Sequence, residues 1–361
     1  MCDAWSISIF VGFDFHSVDA LRLKSRKELL TLLYRKLLIL RIYSVLFDGI
    51  KKLPAEYVGM KKELLLQWMA ESQMLEKVNV RLNDAAIQVS EWFRKKGFRT
   101  CILKGQGNAL MYPNPYSRTP GDIDIWVEGG DKRVISFVRS ISPHEKACYH
   151  HIEFPSYKGV EVEVHYRPSF LLCFWHNRKL QKYYERVKEE QFSHRVMLGE
   201  QGEIAIPTVE FNLIFQLTHI FSHLMNEGIG LRQLLDYYYL ISMLSVNCEM
   251  LTSLQKKLKE LGLWKFAGGI MYIMQEVFGM PASRLIVPLN EKYGKFVLNE
   301  VLEAGNFGKH DERIRFGRSQ LGHNLQRVYR DMRLMKYFPA EAMSEPFFRV
   351  WHFFWRMKNK K

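Results

Sequence analysis

Apolar positions change period twice along the chain, and the changes divide it into three stretches. Between residue 20 and about residue 95 they recur at helical spacing: Leu29, Leu30, Leu33, Leu37 and Leu40 form one stripe, and Leu64 to Phe93 forms a long run with few breakers. Pro54 and Gly59 put a loop between the two. From Phe98 the pattern mixes strands and helices up to about residue 200. Phe98 to Leu103 reads as a first strand, Asp122 to Val127 as a second, and Val160 to Tyr166 alternates apolar and polar residues strictly. His150 to Pro155, followed by the turn residues Tyr157-Lys158-Gly159, predicts a hairpin feeding that last strand, and Asn177 to Gln191 predicts a charged, tyrosine-rich helix. From Pro207 onward the period is helical again. Thr208 is placed to cap a helix starting at Val209 with Glu210 in its first turn, and Asn226-Glu227-Gly228 is placed to end it. The boundaries expected are 1–84 for an N-terminal helical region, 85–200 for a mixed core and 201–361 for a C-terminal helical region with a basic aromatic tail.

The second strand carries candidate chemistry. Its period of two sends Asp122 and Asp124 to one face, about 6–7 Å apart, with Ile123, Ile125 and Val127 on the other. Magnesium is usually held by one or two carboxylates together with substrate phosphates, so the pair points to chemistry on a nucleoside triphosphate. A third acid lies about forty residues on, where Glu161, Glu163 and His165 share the polar face of their strand.

Taken together, Ile102-Leu103-Lys104-Gly105, Tyr112-Pro113, Arg118, Gly121-Asp122-Ile123-Asp124 and Val162-Glu163-Val164-His165 resemble the polymerase-β-like nucleotidyltransferase superfamily. Within it, they resemble the bacterial group known as "uncharacterised nucleotidyltransferase". The resemblance covers roughly residues 85 to 245 and includes Leu231-Arg232 and Leu235-Asp236. It implies an α+β core, a twisted mixed sheet with helices, flanked by helical regions before and after. It also implies that Asp122 and Asp124 bridge two Mg2+ (or Mn2+) ions and that Glu163, rather than its neighbour Glu161, completes the metal site. The superfamily's turn usually reads Gly-Ser or Gly-Gly, whereas Gly105 here stands between Lys104 and Gln106. Gly105 opens a predicted short helix, Gln106 to Met111, whose backbone N–H groups face phosphate without an intervening β-carbon. Lys104, Gly105, Gln106, Arg118 and Gly121 are therefore the expected nucleotide-binding residues, and His165, Arg232 and Asp236 are expected to support the site or the acceptor. Lys104 is equally a lysine that snorkels out of a strand end, and His165 a structural histidine. The implied reaction is attack by an acceptor on the α-phosphate of an NTP, with pyrophosphate leaving.

Composition narrows the setting more than it changes the chemistry. With 361 residues, 47% hydrophobic and 14% aromatic, the chain can bury real cores. No run of eighteen apolar residues predicts a membrane span, and Trp5 to Phe15 lacks the basic leader and cleavage site of a signal peptide. Cys2, Cys101, Cys148, Cys173 and Cys248 show no Cys-x-x-Cys spacing, which suits a reducing cytoplasm and speaks against disulfides and a zinc–thiolate site. His219 and His223 lie four apart on one helix face without the glutamate of a zincin motif, so packing or substrate contact is favoured over shared metal. Arg232 and Asp236, also four apart, are expected to pair along their helix.

Over half of the formal net charge of +14 falls after residue 305, in a tail that interleaves Phe347, Phe348, Trp351, Phe353, Phe354 and Trp355 with Arg349, Arg356 and Lys358. Such a segment packs its aromatic face on the core, or meets nucleic acid or an anionic membrane surface. A small molecule or glycan precursor is the leading acceptor. Nucleotidyl modification of tRNA or protein is the alternative, and a non-catalytic binding protein that keeps the fold is a third.

Overall fold

A computed structural model describes residues 42–52, 61–200, 202–226, 228–245, 247–304 and 320–359. The helix predicted through Leu29 to Leu40, the loop at Pro54 and Gly59, and the stretch Trp5 to Phe15 lie outside the described residues.

A four-stranded mixed sheet organises the middle of the chain. Its strands are β1 (Thr100–Ile102), β2 (Ile123–Val127), β3 (His151–Tyr157) and β4 (Val160–His165), in the order β1-β2-β4-β3. β2 runs parallel to β4, while β1 and β3 flank them antiparallel. β1 is shorter than the predicted Phe98 to Leu103, although Leu103 continues the pairing by donating its N–H to Asp124 O at 2.9 Å. The predicted β3–β4 hairpin turns at Lys158 and Gly159, both with positive φ (52° and 78°). A further two-stranded ribbon, β5 (Arg195–Met197) with β6 (Glu203–Ala205), was not legible in the apolar pattern, because each strand is only three residues long.

Alternation along the strands sorts two hydrophobic clusters to the two sides of the sheet. Ile102, Ile123, Ile125, Val127, Ile152, Val162 and Val164 face one way. They are covered by the second half of helix α2 (Lys62–Lys95), through Leu82, Ala86, Val89 and Phe93, and by α4 (Gly130–Ile141), through Val134 and Val138. Here α1 is Tyr43–Ile50 and α3 is the short helix Gln106–Ala109, two residues shorter than predicted. Cys101, Leu103 and Trp126 face the other way, into a larger cluster with α5 (Phe174–Ser193) and α6 (Val209–Asn226). Trp126 packs at 4.7 Å from Phe192 and stacks near Phe211. Thr208 does precede α6, but its hydroxyl donates to Gln191 Oε1.

Helices α7 (Leu231–Ser242), α8 (Cys248–Glu260), α9 (Trp264–Glu276) and α10 (Glu291–Ala304) extend the larger cluster. α11 (Gln320–Met335) is followed by α12 (Pro339–Lys358), which returns to the segment between β4 and α5. Buried Glu341 of α12 accepts from the N–H groups of Leu172 and Cys173 at 2.6 and 3.0 Å, and lies 3.1 Å from His176 Nδ1. It thereby satisfies donors that open α5 and would otherwise have no helical partner. Phe348 stacks on Phe170, so part of the tail's aromatic content packs on the core. Phe347, Val350, Phe353 and Phe354 remain exposed. No helix among the described residues is long and apolar enough to cross a membrane.

Candidate active site

The parallel pairing of β2 with β4 sets Asp124 directly beside Glu163. Asp122 precedes the first residue of β2 and points to the same side. One carboxylate oxygen from each of Asp122, Asp124 and Glu163 lies within 4.8 Å of the others, so three acids from two separate segments converge. Glu161, one alternation earlier on β4, is exposed and outside this group.

Two cations brace the acids. Lys104 Nζ stands 3.0 Å from Asp124 Oδ1, and His165 Nε2 stands 3.0 Å from the same oxygen and 3.4 Å from Glu163 Oε2. Burial alone would lower the pKa of His165, but hydrogen bonds to Asp124 and Glu163 outweigh it and push the imidazole up to about 9. Burial would raise Asp124, yet Lys104 and His165 hold it well below the usual carboxylate range. Asp122 moves the other way, raised by the neighbouring charge of Asp124 and by burial. Lys104 Nζ also meets His219 Nε2 at 3.2 Å, and burial keeps that imidazole neutral. His219 packs edge-on against His223 at 4.3 Å, and among the described residues neither belongs to a three-ligand metal cluster.

The turn residues take different parts. Gly105 adopts φ 63° and ψ −111°, a conformation L side chains rarely reach, where β1 ends and α3 begins. A β-carbon on Gly121 would come within 3.2 Å of Arg232 Nη1, so the absence of a side chain lets the guanidinium close on this loop. Arg232 Nη1 donates to the carbonyls of Thr119 and Pro120 at 3.2 and 3.1 Å.

Three further side chains of the sequence reading take the following positions. The side chain of Gln106 is buried and donates to Asn79 O and Asn83 Oδ1 on α2, turned away from the acids. Arg118 is 4% exposed, and its Nε and Nη2 each donate to Asp236 at 2.8 Å as a two-pronged ion pair. Asp236 also accepts from Tyr112 Oη at 2.6 Å and Asn108 Nδ2 at 3.2 Å, so its ionic partner is Arg118 rather than Arg232 one helical turn away. Arg118 and Asp236 line a small recess together with Lys104, Gly105, Gly121, Asp122 and Asp124.

A cleft of about 430 Å³ opens over the acids. Its far wall comes from α11 and α12, with Arg327, Arg330 and Arg349 on the lining. A cluster of Cys148, His150 and His151 stands beside Glu163 on the same lining. Sequence reasoning found the positive charge of the tail but not its position over the site. It passed over Cys148 because it lacks Cys-x-x-Cys spacing, and over His150 and His151 because they read only as the start of a hairpin strand.

A mixed α+β sheet that presents converging carboxylates beside a lysine–glycine turn defines a nucleotidyltransferase-type protein. The chain belongs to the family described as "Uncharacterised nucleotidyltransferase", which it matches over residues 31–279. Among solved structures it is similar to an antigenic nucleotidyltransferase-like protein from Paracoccidioides brasiliensis, at 15% sequence identity and a TM-score of 0.33, over 60% of this chain and 94% of that one. No curated protein matches it.

Proposed function

We propose that the chain transfers a nucleoside monophosphate from an NTP to a small acceptor and releases pyrophosphate. The convergence of Asp122, Asp124 and Glu163 within 4.8 Å carries this reading. The three donors are all carboxylate oxygens, the hard set that suits Mg2+ or Mn2+. When bound, such ions stabilise the attacking and leaving oxygens of an in-line displacement.

The remaining roles belong to the chain. Asp122 and Asp124 would hold the ions, with Glu163 completing the set and accepting the acceptor's proton. The acceptor oxygen bonds to the α-phosphorus as the bond from that phosphorus to the bridging oxygen breaks. Lys104 offsets the charge gathered at the carboxylates. Gly105 and Gly121 let the chain approach the triphosphate closely, with Arg232 and the Arg118–Asp236 pair holding their loop in place. Gln106 contributes its backbone rather than its side chain.

The cleft, about 430 Å³, is in the size range of small-molecule sites, and a small acceptor such as a glycan precursor is proposed for it. Arg327 and Arg330 offer positive charge toward substrate phosphates, on a wall that also carries Asp331 and Glu345 and where Arg349 is held by Glu345. A cytoplasmic setting is proposed with it, supported by the free thiols of Cys101, Cys148, Cys173 and Cys248.

Incubation of cell extract with the protein, magnesium and NTP labelled on the α-phosphate tests the reading, with products resolved by mass spectrometry. Label is expected in a small product with wild-type protein and in none with the Asp122→Asn/Asp124→Asn double variant. Label in both would defeat the proposal. Turnover on small acceptors is expected to vary little with salt, whereas RNA binding that weakens steeply with salt would move the acceptor to tRNA.

A further inference from the structure

Cys148, His150 and His151 lie at the cleft edge of β3, outside the carboxylate set. Cys148 Sγ is 3.6 Å from His150 Nδ1 and 3.4 Å from His151 Nδ1, and His151 Nδ1 is 3.0 Å from His150 Nε2. A tetrahedral zinc ion, with Zn–S near 2.3 Å and Zn–N of about 2.0–2.1 Å, sets its ligand atoms roughly 3.6 Å apart for sulfur and nitrogen and roughly 3.4 Å apart for two nitrogens. Cys148 Sγ stands close to that sulfur–nitrogen separation from Nδ1 of each histidine, and one ligand atom from each of the three residues lies within 4.8 Å of the others. His150 turns Nδ1 toward the thiol and Nε2 toward His151, and Nδ1 is the nitrogen a shared ion would take.

Backbone bonds shape this turn independently of the side chains. Cys148 N donates to His151 O at 2.9 Å, and Ala147 pairs with Ile152 in an antiparallel bridge. Tyr166 N and Arg167 N both donate to His150 O, at 3.0 and 3.1 Å, and Tyr166 Oη donates to Cys148 O. The loop is thus pinned to the end of β4, and the ligand atoms converge from a rigid base. That arrangement lowers the ordering cost of binding an ion.

We infer that Cys148, His150 and His151 form a zinc site of their own, beside the carboxylates and with a fourth coordination position open to the cleft. A thiolate with two imidazoles selects zinc over magnesium, whereas the carboxylates have the opposite preference. Three protein ligands and one open position is the arrangement of zinc centres that bind a substrate or water. All three residues line the cleft that holds the acids, and His151 Nδ1 lies 3.7 Å from Glu163 Oε2, so a group on the zinc would sit next to the transfer site. The inference stands on the geometry of the cluster and does not require the transfer reaction.

Elemental analysis and cobalt substitution of the full chain test it. One zinc per chain is expected after dialysis against micromolar zinc. Replacement by Co2+ is expected to give a sulfur-to-cobalt charge-transfer band that is lost in Cys148→Ser and kept in Cys248→Ser and Glu163→Gln. In the unmutated protein, zinc is expected to slow alkylation of Cys148 and a chelator to restore it, a readout that survives if a variant fails to fold. Failure to take up zinc, a band that persists in Cys148→Ser, alkylation indifferent to zinc, or zinc lost in Asp122→Asn/Asp124→Asn but kept in Cys148→Ser would each overturn the assignment.

Discussion

Glu161 and Glu163 occupy the same face of β4, yet only Glu163 reaches the paired aspartates. Period two places both on the polar face and cannot separate them. The distinction comes from the parallel register of β4 on β2, a pairing between segments some forty residues apart that local sequence does not encode. Glu163→Gln is expected to lower kcat by about 100-fold or more, the scale of several kcal/mol of lost charge stabilisation, while Glu161→Gln stays within about twofold. Steady-state kinetics on both variants checks the contrast. Asp236 makes the same point for helices. Sequence spacing offered it Arg232, but the tertiary structure gives it Arg118, from a loop more than a hundred residues earlier. Removing one partner of a buried pair strands the other charge, so Asp236→Ala is expected to cost about 3–5 kcal/mol in denaturant unfolding. Burial opposes ionisation of Asp236, but Arg118 and Tyr112 hold its pKa below the usual value. The pair's contribution is therefore complete above the unfolded pKa of about 3.9 and is lost as pH falls through the lower folded value. The stability advantage of wild type over Asp236→Asn is expected to be level near neutrality and to shrink below about pH 4.

The elements with clear patterns were readable in advance: the long helix α2, the β3–β4 hairpin, the helix at α5 and the strand bearing the aspartates. What they pack against was not. α2 was legible as an apolar run, but its second task is polar. Asn79 is buried on it and donates Nδ2 to the carbonyls of Tyr116 and Arg118 at 2.7 and 2.9 Å, fixing the loop that delivers Arg118. The two glycines with positive φ at the ends of α2 and β1 separate backbone strain from function. Gly97 has φ 80° with open space where a β-carbon would go, and Gly105 has φ 63° beside Asp122 O. Alanine at either position is expected to cost about 1–3 kcal/mol through its backbone conformation. Activity is expected to survive in Gly97→Ala and to fall sharply in Gly105→Ala. Equal activity in the two variants would remove Gly105 from the site.

At the scale of the whole molecule, the charge and aromatic content of the tail were legible, but their destination was not. Nothing local in residues 320–359 says that α11 and α12 return to wall the cleft with Arg327, Arg330 and Arg349. The anchor is Glu341, buried against the start of α5. Glu341→Ala leaves two backbone donors and His176 without this acceptor, at an expected cost of about 1–3 kcal/mol. A lowered melting temperature together with a raised KM is the expected outcome, because the far wall of the cleft loosens with the anchor.

The most direct test of the three-carboxylate centre is calorimetric titration of the intact chain with a non-hydrolysable NTP, with and without magnesium, in wild type and in Asp122→Asn/Asp124→Asn. Wild type is expected to bind nucleotide more tightly with the metal, and the double variant to lose that metal-dependent gain while keeping its fold by circular dichroism. An equal gain in the folded double variant, or no nucleotide binding by wild type, would contradict a nucleotidyl transfer site built on these acids.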